Sequence, residues 1–267
     1  MPQIGITSRT PLYVGGVRTS ALYRGNRMIW PKPPVFAIPW AHLWWVEGPK
    51  FQALGYTDTQ GVSLFPDEAG AIDFVQATSG NRPPFDASVP LLGDRPALAP
   101  ATSVGHYMTS AAPAAIPGPT SLVAVTVGAH NLPWDNYSIF GQSWSGGLRL
   151  ITNNSTNSIG MTGDHGATLL SASSLWSAEA GHLIVGYENG ASSQIDLDGT
   201  TVATGNAGGN GSLGATALSL FRGTPEGGQE YDRPLSLLGI ASGDIRTHPR
   251  WDGFTGWVSD HYGIEVV

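Results

Sequence analysis

The sequence predicts an all-β fold, either a sandwich or a barrel, on three observations. Glycine and proline are abundant, 36 and 20 among 267 residues, and they punctuate short apolar runs. Those runs recur at short intervals with no long helical period between them, the pattern of many strands joined by turns. Disorder needs low hydrophobicity and high charge, whereas 41% of the residues are hydrophobic and only 12% are charged. A chain of this length can bury a sizeable core, as one large domain or two smaller ones.

Charge and residue usage exclude several function classes. The formal net charge is −7, and the thirteen basic residues are scattered rather than clustered, which argues against a nucleic-acid partner. With no cysteine, disulfides, thiolate metal sites and cysteine nucleophiles are all ruled out. No window is apolar for long enough to span a membrane, and the start shows no basic-then-apolar leader, so synthesis in a cytoplasm without membrane insertion is expected.

In chain order, residues 1–34 stand apart. Two short β-type runs, at 12–14 and 21–23, are each followed by a turn signal, Gly15-Gly16 and Gly25-Asn26. Pro31, Pro33 and Pro34 then make a stiff linker. So short an arm holds no core and must pack on something else. The main body, residues 35–267, opens with the apolar segment "AIPWAHLWWVEG", read as a buried strand. Polar turns at 66–70 and 79–84 follow, then a Pro/Ala-rich loop up to Pro119. The β-branched run at 121–130, "SLVAVTVGAH", suits a sandwich core. Further strands are expected at 137–140, 147–152, 158–161, 182–188, 193–197, 200–204 and 217–221, with Asp198-Gly199 as a type I′ hairpin turn. One helix is expected: apolar residues recur at Trp251, Phe254, Trp257, Val258 and Tyr262, after a start at Thr247 and Pro249 and before a stop at Gly263. These helix aromatics, like those of "HLWWVEG", read as packing residues.

The ordered segments carry a resemblance. Residues 67–98, "DEAGAIDFVQATSGNRPPFDASVPLLGDRPAL", followed by "SLVAVTVGAH", "IDLDGTTV" and the terminal "WVSDHYGI", resemble concanavalin A-like (laminin-G-like) domains across residues 40–267. The resemblance implies a two-sheet antiparallel jelly-roll sandwich, preceded here by a short N-terminal β arm and closed by one C-terminal helix. The stretch "LYVGGVRTSALYRGNRMIWP" resembles segments of minor tail proteins of phages that infect actinobacteria. Together these imply a tail-tip component of the virion. It would dock on other tail proteins through residues 1–34, form a homo-oligomer, a trimer above all, and reach the host surface.

Laminarinase-type glucanases share this architecture and provide the alternative reading, a glycan-processing enzyme. They place Glu, Asp and Glu at alternate positions of one strand, so that all three share one face. The matching positions here are Gln194, Asp196 and Asp198. Gln194 cannot ionise, and Asp198 is explained by the hairpin turn. No G-x-S-x-G or H-E-x-x-H pattern occurs, so a protein without enzymatic activity and without a cofactor or resident metal is expected. Asn153, Asn154 and Asp164 are the side chains a calcium ion would use, although their spacing matches no known calcium loop. Sugar binding is the stronger functional hypothesis. Aromatic faces stack on pyranoses while Asp and Asn bond hydroxyls, and Trp134, Asp135, Asn136, Tyr137 and Trp144 are concentrated within residues 131–147. Whether these aromatics grip a host cell-wall glycan or only fill the sandwich is open at this point.

Overall fold

The computed structural model describes residues 33–101, 105–128, 137–142, 147–153, 158–163, 168–170, 180–209, 211–222 and 231–267, together with four short strands among the first 30 residues. Those four form two hairpins, β1 (Leu12–Val14) with β2 (Val17–Thr19) and β3 (Leu22–Arg24) with β4 (Arg27–Trp30). The expected turn residues Gly15, Gly16, Gly25 and Asn26 lie outside the described residues.

Among the described residues, sixteen further strands make two antiparallel sheets, the architecture of a jelly-roll sandwich. In chain order they are β5 (His42–Trp45), β6 (Leu64–Phe65), β7 (Phe74–Val75), β8 (Phe85–Val89), β9 (Arg95–Leu98), β10 (Met108–Ser110), β11 (Thr120–Val127) and β12 (Tyr137–Gly141). Then come β13 (Arg149–Asn153), β14 (Ser158–Thr162), β15 (Thr168–Leu170), β16 (Gly181–Glu188), β17 (Ser193–Leu197), β18 (Thr200–Gly205), β19 (Ser219–Leu220) and β20 (Leu235–Ser242). The first sheet runs β15-β14-β13-β12-β19-β10-β7-β6. The second runs β18-β17-β16-β11-β20-β9-β8, with β5 also bonded to β20.

The strand period of two explains why β11 reads as unbroken apolar sequence: both of its faces are buried. Leu122 and Ala124 point between the sheets and join Ile184, Ile195, Leu238 and Ile240, which meet Ile139, Leu150, Ile159 and Leu220 of the opposite sheet. The alternate residues Val123 and Val125 join Leu183, Val185 and Leu237 in a second core on the outer face. Helix α2 (Trp251–Tyr262) covers that core with Phe254, Val258 and Tyr262. The helix begins at Trp251 without a side-chain cap, and Gly263 ends it in the left-handed conformation (φ 67°). Tyr262 fixes its end to the sheet: the hydroxyl accepts from the Trp45 indole (2.9 Å) and from Ser236 (3.0 Å), and burial pushes the phenol pKa up.

Several expectations change in detail. The Pro/Ala-rich stretch before Pro119 is not all loop, because it carries β10. A second, four-residue helix, α1 (Pro49–Gln52), follows β5. The polar turn at 66–70 is anchored by a fully buried carboxylate, Asp67, rather than lying on the surface. Among the described residues, no helix is long and apolar enough to cross a membrane.

Candidate carbohydrate-binding cleft

One end of the second sheet holds a cleft of about 530 Å³, within the range that small ligands occupy. Four pieces of chain build it: the turn after β8, the start of β16, the β17–β18 hairpin turn, and the segment that follows α2. The hairpin turn is of type I′, with Asp198 at φ 51° and Gly199 at φ 85°, the left-handed pair that an Asp-Gly dipeptide supplies cheaply. Asp198 also continues the ladder beyond β17. Its N–H donates to the Leu183 carbonyl (2.9 Å), and its Oδ1 accepts from the Leu183 N–H (2.8 Å).

The remaining carboxylate oxygen, Oδ2, lies 2.7 Å from His182 Nδ1. A turn residue therefore orients a histidine at the start of β16, and the pair lines the cleft. Much of the remaining lining is apolar. Leu91, 41% exposed, stands beside Pro90 and Ile264. Gly181 lets the turn after β8 pass close, since a Cβ there would run into the Leu91 carbonyl oxygen. Glu265 completes the rim as an exposed side chain. Carboxylates that accept from hydroxyls, set against an apolar wall for the C–H face of a ring, suit a sugar.

Of the three positions that correspond to glucanase carboxylates, only Asp198 lines the cleft, and the other two are engaged elsewhere. Gln194 and Asp196 lie on the outer face of β17, and Gln194 Nε2 donates to Asp196 Oδ1 (2.6 Å) and Thr201 Oγ1 (2.7 Å). Asp196 Oδ2 meets Arg246 (2.9 Å), which also holds both oxygens of Asp244 (2.7 Å each) and lies over the Tyr187 ring at 5.3 Å. Burial works against the Arg246 charge, but bonds from Asp244 and Asp196 outweigh it and hold the guanidinium pKa above its ordinary value. This network ties the segment before α2 to the sheet.

Of the sequence candidates, Trp134, Asp135, Asn136 and Trp144 lie outside the described residues, as do the calcium candidates Asn154 and Asp164. Tyr137 is the first residue of β12, opposite Thr152, and Asn153 is the last residue of β13; their side chains are outside the described set. Among the described residues, no three His, Asp or Glu side chains come together as a metal site requires. Sequence reasoning missed His182, Leu91 and Glu265. The available signal was a histidine at a strand start, one hairpin away from an Asp-Gly turn.

No family model and no curated protein matches this sequence. The likeness is to solved structures. Trypanosoma rangeli sialidase in complex with 2,3-difluorosialic acid superposes with a TM-score of 0.48 at 12% identity, over 83% of this chain and 33% of that one. The binding domain of botulinum neurotoxin DC in complex with SialylT gives 0.45 at 11%, over 75% and 51%. This chain thus spans a third to a half of their lengths, and at such identity the likeness concerns the β-sandwich fold alone. It corrects one expectation nonetheless. A protein without enzymatic activity was expected from the missing carboxylates, yet similar sandwiches occur in sialidases, which are enzymes, so that expectation is withdrawn.

Proposed function

We propose that this chain is a tail-tip component of an actinobacterial phage whose jelly roll binds host-surface carbohydrate at the cleft beside His182 and Asp198. The observation that carries this reading is the cleft itself, which brings the carboxylates of Asp198 and Glu265 together with His182 and the apolar side chains of Leu91 and Ile264. The chain leaves β11 at Gly128, whose N–H donates to the carbonyl of Ala180 (2.8 Å), and Ala180 is a wall of the cleft. The stretch that starts there runs through Trp134, Asp135 and Asn136 to Tyr137, with Trp144 in the next turn region. Gly128, the last described residue before that stretch, thus bonds to a residue that lines the cleft. In the same reading, residues 1–34 dock on neighbouring tail proteins, the particle holds a homo-oligomer of three copies, and the sandwich faces outward.

Binding of the labelled protein to intact actinobacterial cells and to isolated wall polysaccharide tests the site. The expected result is saturable binding, weakened about tenfold or more in a Trp134→Ala, Glu265→Ala variant of unchanged melting temperature. Unweakened binding by that variant would remove the cleft from the proposal. The arm has its own test. Deleting residues 1–34 should leave cell binding by the sandwich measurable while abolishing incorporation into particles, and normal incorporation would overturn the docking role.

A further inference from the structure

We infer that the cleft takes a neutral, hydroxyl-rich glycan and rejects sugars that carry a carboxylate, an inference that rests on the reading of the cleft as a sugar site. Among the described residues that line it, the charged side chains are Asp198 and Glu265, joined by His182; no Lys or Arg is present. The composition of the surrounding chain repeats this bias. The described residues 90–94, 180–182, 198–200 and 263–267, which include the lining segments and their neighbours, contain Asp94, Asp198 and Glu265 and neither Lys nor Arg.

Arg95, the cation next to the turn after β8, is turned to another task. Its NH1 meets Glu47 at 3.8 Å, and its Nε donates to the carbonyl of His261 (3.0 Å). Recognition of a sugar carboxylate calls for the guanidinium fork or a strong cation, and like charges brought together are a standard means of excluding the wrong partner. Hydroxyl groups face no such penalty, since they donate to carboxylates. Asp198 is already oriented by His182 and the Leu183 N–H, so its remaining lone pairs are fixed in direction before any ligand arrives.

The test uses the whole protein and actinobacterial wall polysaccharide separated by anion exchange into a neutral and an acidic pool, each immobilised. Half-saturation on the neutral pool should come at a concentration at least about tenfold lower than on the acidic pool. The gap should narrow as salt is raised to about 0.5 M, because exposed charges are then screened within a few ångströms. Glu265→Lys, a change at an exposed position, should narrow it as well by tightening binding to the acidic pool. Equal or tighter binding of the acidic pool by the unaltered protein would overturn the inference and leave carbohydrate binding standing. Binding to neither pool would overturn the carbohydrate reading and the inference with it.

Discussion

Replacing Trp44 with alanine should lower the unfolding free energy by about 3–5 kcal/mol, the usual cost of deleting a large aromatic from a packed interior. Trp44 is on β5, which hydrogen-bonds to β20, and its side chain is fully buried between the sheets. Its ring contacts Phe74 with centroids 4.7 Å apart and stacks on His42 at 5.5 Å. The indole N–H donates to the Ile72 carbonyl (2.9 Å), so truncation leaves both a cavity and an acceptor without its donor. Urea unfolding followed by far-ultraviolet circular dichroism measures the loss. A change below about 1 kcal/mol would mean that β5 does not brace the two sheets. Trp44→Phe should cost less, because it retains most of the volume and forfeits chiefly the hydrogen bond.

Asp67→Ala should cost about 3 kcal/mol or more, since it removes the centre of a buried polar knot. One carboxylate oxygen accepts from the N–H groups of Leu43 (2.9 Å), Ala69 (3.1 Å) and Gly70 (2.8 Å). The other meets His42 Nδ1 at 2.7 Å. Burial pushes the carboxyl pKa up, but the His42 bond and the backbone donors outweigh it and hold the value below the ordinary 3.8. A depressed folded pKa stabilises the native state at pH above the unfolded value, and the contribution disappears as pH falls through the folded one. The stability difference between wild type and Asp67→Ala should therefore be full at pH 7 and shrink at pH 3 and below. Urea titrations at the two pH values decide it, and a difference that grows on acidification would contradict the assignment.

The long elements were legible because their patterns had room to repeat. β11 and β16, eight residues each, showed the apolar β-branched runs of strands buried on both faces. The apolar residues of α2 followed one helical stripe through Trp251, Phe254, Val258 and Tyr262, and the Asp198-Gly199 turn was visible as a dipeptide. β6, β7 and β10 were not legible, being two or three residues long and held by pairing rather than by local preference. Asp67 was misjudged for a related reason. In sequence it belongs to a polar turn, and only the fold brings His42 and the Leu43 N–H across to bury it. The cleft was hidden because its walls come from four separated pieces of chain. His182 stands at the start of the largely apolar strand "GHLIVGYE", and the register of β16 on β17 alone reveals that it faces the turn.

The placement of β20 bears on how the protein comes into being. It follows every other strand of the two sheets in chain order, yet it occupies the middle of the second sheet, between β11 and β9 and bonded to β5. Leu237 pairs with Trp45 and Ile240 with His42, so partners nearly two hundred residues apart must find one another. Until residues 235–242 leave the ribosome, the edges of β11 and β5 that β20 covers lack their native partner. Assembly is consequently dominated by non-local pairing, the slow kind, and the growing polypeptide passes through a stage in which neighbouring copies compete with its own β20 for those edges.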